Sequence, residues 1–199
     1  PRPGQRPLVA DAVLGSLKRL YGDSWGPRLE QILRNGVLSL LEHDGATLLT
    51  LSRLLTDTPF RVALTGRLAD PVVRHFWHET FARWSPRFRT EAVSPVLNKL
   101  DGFLASPIAR AITCRGHGTI DLRSILDNPR SIFLCNLSKG LVGEETSSLL
   151  GAFLVSSLQT AALGRADLPE EDRTDVQVYI DEFHAFVSEG NSSFATILS

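Results

Sequence analysis

The sequence predicts an α/β protein in which an all-α region, residues 1–112, precedes a region with a parallel sheet, residues 113–199. Apolar residues recur at helical spacing up to about residue 112, whereas short β-branched or aromatic runs appear beyond residue 119. The charge also changes sign. Residues 1–110 carry 15 basic and 10 acidic side chains, a net of +5, and residues 111–199 carry 6 and 12, a net of −6. Two regions with different roles are therefore expected.

Helix starts recur through the first region. Five prolines stand where a first helical position is expected, and four of them follow a residue that can cap a helix: Pro27, Thr58-Pro59, Asp70-Pro71, Ser94-Pro95 and Ser106-Pro107. Three apolar stripes at helical spacing accompany them: Leu29, Ile32, Leu33, Val37, Leu40 and Leu41; Val73, Trp77, Phe81 and Trp84; Val96, Leu97, Leu100, Phe103 and Leu104. These patterns predict a helical bundle.

The second region is predicted to form a strand, a crossover helix and a second strand. Residues 131–137 (SIFLCNL) and 176–180 (VQVYI) are short apolar runs bounded by polar residues, which is typical of buried strands. The stretch from Glu144 to Leu163 is long enough for a helix between them, and this order predicts a parallel βαβ unit. The uncharged run 146–164 has the length of a membrane span. A buried helix is favoured because polar residues lie within it: Ser147, Ser148, Ser156, Ser157, Gln159 and Thr160.

The composition is that of an ordinary globular protein. With 43% hydrophobic and 22% charged residues, it excludes the collagen-like, disordered and disulfide-scaffold classes. Cys114 and Cys135 form no CxxC motif and are expected to be buried free thiols. The sequence contains no Met and ends in an apolar run of helical spacing at 194–198, so we expect it to be a piece of a longer protein.

Two acids follow the second predicted strand directly, at Asp181 and Glu182. Parallel sheets bind ligands beyond the carboxyl ends of their strands. In P-loop NTPases an acid at this place supports Mg²⁺, and the acid beside it orients or deprotonates the attacking water. Asp181 and Glu182 suit these two roles, with His184 close enough in sequence to reach the same nucleotide site. A strand that merely ends in a solvated acidic turn explains the pattern equally well, so both interpretations stay open here.

The phosphate-binding partner of such acids is absent from the sequence. No GxxxxGK[ST] motif occurs, and the glycines and lysine of residues 138–143 (SKGLVG) have the wrong arrangement to enclose a triphosphate. The 199 residues alone are therefore predicted not to hydrolyse nucleotide.

Four segments together carry a family resemblance: residues 24–35 (SWGPRLEQILRN), 94–100 (SPVLNKL), 136–140 (NLSKG) and 179–183 (YIDEF). They resemble the conjugation and type IV secretion coupling ATPases, in the HerA–FtsK group of DNA-pumping motors. The similarity runs from about residue 24 to residue 199. In that family a helical domain is inserted between the phosphate-binding loop and the Walker B strand, which is the order predicted here.

The resemblance implies a RecA-like nucleotide-binding core, with Asp181 as the Walker B aspartate that binds Mg²⁺ through water and Glu182 as the catalytic glutamate. It implies a parent protein that hydrolyses ATP, forms a hexamer and moves DNA with conjugation or secretion machinery. The parent would lie in the bacterial cytoplasm, at the cytoplasmic face of the inner membrane if a segment outside this chain anchors it. The missing phosphate loop is assigned to sequence upstream of Pro1.

The stretch 74–89 combines arginines with large aromatic residues, a combination that can bind a phosphate backbone and stack bases. The aromatics recur at steps of four, three and four, which favours core packing. The arginines Arg83, Arg87 and Arg89 remain candidates for contact with DNA, a protein or solvent. Arg165, at the end of the uncharged helix, is a candidate trans-acting arginine finger, with a helix C-cap as the commoner role.

A different class of function stays open beside the motor. In this alternative the chain is a non-catalytic interaction module whose positive helical half binds a protein partner or DNA, and the acids are only a charged turn. An upstream GxxxxGK[ST] in the same gene would separate the two, since the motor requires it.

Overall fold

A computed structural model of the chain describes residues 3–116, 118 and 120–182. The chain divides into two compact units, Pro1–His117 and Gly118–Ser199. The structure is 71% helical, and its described residues contain no strand. It is therefore an all-α structure over that part of the sequence.

The first unit is built around one central helix, α2. Its described residues form seven α-helices: α1 (Arg6–Leu20), α2 (Pro27–Leu41), α3 (Leu48–Thr56), α4 (Thr58–Thr65), α5 (Pro71–His75), α6 (Pro86–Ala105) and α7 (Pro107–Thr113). Helix α2 packs against α1, α3, α5 and α6. Its predicted apolar stripe is buried from Leu29 to Leu40, which confirms the assignment of that face to the core.

Several of the predicted helix starts are confirmed. Helices α2, α5 and α7 begin at Pro27, Pro71 and Pro107. The Asp70 carboxylate accepts the main-chain N–H groups of the first turn of α5, as expected of a capping residue. Helix α4 differs by one residue, because Asp57 rather than Thr58 caps it and accepts the N–H of Phe60 at 2.9 Å.

The predicted helix start at Pro95 is wrong. Helix α6 begins at Pro86, is capped by Ser85, and continues through Pro95 to Ala105. A proline inside a helix removes one main-chain hydrogen bond. The helix continues because the same face buries Val93, Val96 and Leu100 on both sides of the proline, and this packing outweighs the local signal.

Aromatic side chains form the core beside α2. Residues Phe76–Phe81 form a π-helical turn, in which Phe76 and Phe81 are buried with ring centroids 6.1 Å apart. Trp77 packs edge-on against Phe81 at 5.0 Å. Trp84 is half-buried and extends the cluster. The prediction of core packing is confirmed for Trp77 and Phe81 but not for Phe88, whose side chain is exposed at the end of the cluster.

The buried polar groups of Ser39, Trp77 and Arg61 in this core have hydrogen-bond partners that connect different elements. The Trp77 indole N–H donates to Ser39 Oγ at 2.8 Å, and Ser39 Oγ donates to the Asn35 carbonyl at 2.7 Å. The Arg61 guanidinium donates to the carbonyls of Leu54 and Leu55 at the end of α3. Burial, together with the like charge of Arg89, lowers the pKa of Arg61. The buried polar groups therefore tie α2 to the π-helical turn and α3 to α4.

The second unit is organised by its longest helix. It contains α8 (Leu122–Asp127), α9 (Lys139–Val142) and α10 (Glu144–Leu163), and α10 packs against both of the others. The bounds of α10 confirm the predicted helix. By length and composition the segment Glu144–Asp167 could cross a membrane. The buried residues of α10 lie between Thr146 and Val155.

The predicted parallel sheet is wrong. Residues 131–137 and 176–180 are neither helix nor strand, and the side chains of Ile132, Leu134 and Tyr179 are 86–88% exposed. Strand preference depends on a neighbouring strand that pairs with the main chain. The described residues offer none, so the apolar runs lie at the surface of the unit. The expected burial of the two thiols is also wrong, because Cys114 is half-buried and Cys135 is exposed.

Replacing Ser39 by Ala is expected to destabilise the first unit by about 1–3 kcal/mol, because it leaves the buried Trp77 N–H without an acceptor. Ser16→Ala is the matched control. Ser16 is also a buried helical serine whose Oγ donates to the carbonyl four residues earlier, but no indole donates to it. Urea unfolding followed by circular dichroism measures both variants. Equal losses in the two would contradict the role given to the indole.

Candidate functional site

The second unit contains a groove of about 1040 Å³ that ends at the acidic pair. Two non-helical segments, 131–138 and 174–182, line it together with the side of α10 that includes Leu154, Val155 and Leu158. One end of the groove is polar, with Asn136 and Ser138 on the first segment, Lys139 at the start of α9, and Asp181 and Glu182 on the second segment.

The two acids lie in a turn with unusual geometry. Glu182 has a φ of 49°, the one positive φ recorded for a non-glycine residue in the described chain. The Asp181 carboxylate accepts the N–H of Glu182 at 2.9 Å, which fixes the turn locally. A left-handed main chain at a residue with a side chain is uncommon and costs free energy.

Lys139 connects this turn with α10. Its Nζ lies 3.6 Å from Glu182 Oε2 and 3.7 Å from Glu144 Oε1. The three side chains are 45–80% exposed, so solvent screens these ion pairs and each contributes little to stability. The pair between Lys139 and Glu182 nevertheless brings together residues that are more than forty positions apart in the sequence.

The turn that carries Lys139 is attached to the buried part of α10. Ser147 Oγ donates to the Leu137 carbonyl at 2.6 Å, and Ser147 is buried. Asn136 Oδ1 accepts the N–H of Ser138 at 3.0 Å and closes the turn. The structure therefore brings residues 136–140 and the acids 181–182, both singled out in the sequence, to one end of one groove.

The described residues contain no group of three or more His, Cys, Asp or Glu side chains able to hold a metal ion. Mg²⁺ in nucleotide sites is commonly bound by one or two carboxylates, with phosphate and water as the other ligands. Asp181 fits that requirement as a single carboxylate at the groove end. His184 and the predicted apolar helix at 194–198 lie outside the described residues.

Arg165, the candidate trans-acting arginine, has its contacts inside the second unit. Its side chain is 11% exposed, Nε lies 3.0 Å from Asp127 Oδ1, and Nη2 donates to the Thr174 carbonyl at 2.5 Å. The guanidinium therefore connects α8 with the start of the segment that leads to the acids. The sequence offered no signal for this contact.

Two further residues of this cluster, Arg123 and Asp127, were missed by sequence reasoning. Arg123 Nε lies 2.5 Å from Asp127 Oδ2, while Nη1 donates to the Gly164 carbonyl and Nη2 to Asp167. Their i,i+4 spacing on one helix is a signal for an ion pair. Nothing in the sequence connects that pair to residues forty positions later.

The three candidate DNA contacts have different surroundings. Arg83 and Arg87 are exposed, and each pairs with an acid four residues away on the helix surface, Glu79 and Glu91 respectively. Arg89 instead donates to main-chain carbonyls of Phe81, Ala82 and Trp84, and its guanidinium lies 5.3 Å from the centre of the Phe81 ring. Arg89 is thus a cap of the π-helical turn, whereas the other two are free to turn outward.

Comparison of the chain with protein-family models, curated proteins and solved structures found no match. The resemblance to coupling ATPases therefore remains a prediction from the sequence motifs.

Arg89→Met is expected to lower the unfolding free energy of the first unit by about 1–2 kcal/mol, because several carbonyls lose a charged donor. Arg87→Met removes the same charge from a 91% exposed side chain, and it is expected to change the unfolding free energy by less than about 0.5 kcal/mol. Chemical denaturation compares the two. A loss as small for Arg89 as for Arg87 would show that the capping contacts carry no stability.

Proposed function

We propose that this chain supplies the acidic half of the ATP-hydrolysing site of a DNA-translocating motor used in conjugation or type IV secretion. The phosphate-binding loop of the proposed site is contributed by sequence upstream of Pro1. The proposal rests on local geometry at one end of the groove and on the motif resemblance.

The observation that carries the proposal is the approach of Lys139 to Glu182 at 3.6 Å. This contact joins two of the four segments on which the resemblance rests, 136–140 and 179–183. Main-chain strain at Glu182 supports the same conclusion, because such strain clusters at functional sites.

The proposed roles of the residues follow from their chemistry. Glu182, exposed at the groove end, accepts the proton of the attacking water, and Lys139 beside it holds the carboxylate in place. Asp181 is the residue that would bind Mg²⁺ through water, and the ion would neutralise charge on the phosphates when bound. The apolar wall of the groove along α10 is suited to exclude water from one side of the site.

The helical unit is proposed to face the DNA or a protein of the transfer machinery. Arg83 and Arg87 can exchange their carboxylate partners for phosphate at little cost, because those ion pairs are exposed. Arg89 is less suited to this role because its Nη2 already donates to main-chain carbonyls of Ala82 and Trp84. The proposed parent assembles as a hexamer in the bacterial cytoplasm, at the inner membrane if another segment anchors it.

The alternative function, a non-catalytic interaction module, is favoured by a different observation. Ile132, Leu134 and Tyr179 are exposed apolar side chains close to the groove, and such patches often mark protein contacts. In that case the acids take no part in chemistry.

Glu182→Gln tests the motor. In the complete gene product, ATP hydrolysis is expected to fall about 10²- to 10⁴-fold, since the amide cannot accept the proton of the attacking water, while ATP binding is retained. Initial rates of phosphate release and binding of a fluorescent ATP analogue measure the two quantities.

Glu144→Gln is the matched control for that experiment. Glu144 is also a carboxylate within 3.7 Å of Lys139, but it lies at the start of α10 rather than beside Asp181. Its removal is expected to leave hydrolysis within a fewfold of the wild type. Unchanged turnover in Glu182→Gln, or a gene without GxxxxGK[ST] upstream, would refute the motor and leave the interaction module.

A further inference from the structure

The polar contacts that attach the segment 174–182 to the second unit lie at its two ends. At the start, the Thr174 carbonyl accepts from Arg165 and its Oγ1 donates to the Asp127 carbonyl at 3.4 Å. At the far end, Glu182 lies beside Lys139. Between these points, the main chain of residues 175–180 makes no hydrogen bond within the described part of the chain. The position of the acids therefore depends strongly on the two attachments.

The attachment at Thr174 is the firmer of the two. Asp127 lies between two guanidinium groups, with Oδ1 3.0 Å from Arg165 Nε and Oδ2 2.5 Å from Arg123 Nε. Arg165 is 11% exposed, whereas the side chains at the Lys139 end are 45–61% exposed. The contact between Arg165 Nε and Asp127 Oδ1 is an ion pair without hydrogen-bond geometry. Ion pairs in a partly buried site are less screened than exposed ones. The Asp127 cluster thus holds one end of the segment more firmly than the Lys139 contact holds the other.

We propose that Arg165, oriented by Asp127, is a positioning residue that keeps Glu182 beside Lys139 within the same subunit. This inference rests on the proposed function, because it concerns how the acidic pair of the proposed site is held in position. It gives Arg165 a role in its own subunit in place of a trans-acting finger, because the groups that a finger would present to a neighbour are bound to Asp127 and Thr174.

Zero-length crosslinking with a carbodiimide measures this placement directly. The carboxyl group adds to the reagent, the deprotonated lysine amine then attacks the activated carbonyl carbon to form an amide, and the reagent leaves as a urea that carries the carboxyl oxygen. Lys139 has two acid neighbours at nearly equal distance, Glu182 at 3.6 Å and Glu144 at 3.7 Å. The ratio of the two crosslinked peptides, measured by mass spectrometry, therefore reports the position of Glu182 against an internal standard.

Arg165→Lys is the informative variant. It keeps a cation near Asp127 but removes the second donor, which reaches the Thr174 carbonyl. We expect the Glu182 to Glu144 crosslink ratio to fall severalfold, with helix content by circular dichroism unchanged. Arg173→Gln is the control, because Arg173 adjoins Thr174 but its guanidinium donates to the Leu168 carbonyl. That variant is expected to keep the wild-type ratio.

A wild-type ratio in folded Arg165→Lys would overturn the inference, as would an equal fall in Arg173→Gln. The crosslinking needs no nucleotide, so its outcome is readable even if Glu182→Gln leaves ATP hydrolysis unchanged and the proposed function fails. Should Arg165→Lys reduce hydrolysis, mixing it with Glu182→Gln subunits separates the two roles of Arg165. A trans-acting finger would restore activity in the mixture and contradict the inference, whereas a positioning residue in its own subunit restores none.

Discussion

The last carbonyl groups of a helix have no main-chain N–H to bind them. In this protein, arginine side chains donate hydrogen bonds to several of these carbonyls. Arg61 binds carbonyls at the end of α3, Arg89 those that follow the π-helical turn, and Arg110 those at the end of α6. In the second unit, Arg123 reaches the Gly164 carbonyl that follows α10. A fold of many short helices has many such ends, so capping by cations is a constraint on the whole structure.

This constraint changes the meaning of the positive charge of the first region. An excess of five basic side chains is also what a nucleic-acid-binding surface would present. Part of that charge is committed to main-chain carbonyls, as at Arg61 and Arg89, and another part to acids four residues away, as at Arg83 and Arg87. The net charge of a region therefore overstates the number of basic side chains that a polyanion can reach.

In the second unit the same chemistry connects distant parts of the chain to the groove. Asp127 joins two arginines, one directed to the end of α10 and the other to Thr174. Lys139 joins the start of α10 to Glu182. Apolar side chains along α10 form the wall of the groove, while ion pairs set the position of its polar end. Packing thus builds the site and electrostatic contacts orient it.

The sequence by itself determined the helices that begin with a cap and a proline, the face of α2 that is buried, and the extent of α10, because these depend on residues close in sequence. It also located the lysine turn and the acidic pair that the groove brings together. Only the tertiary structure decided that α6 continues through Pro95, that the apolar runs 131–137 and 176–180 form no sheet in the described chain, and that Arg165 binds Asp127 and Thr174. Each of these outcomes depends on partners that lie far away in the sequence, and periodicity or local spacing carries no information about whether such a partner is present.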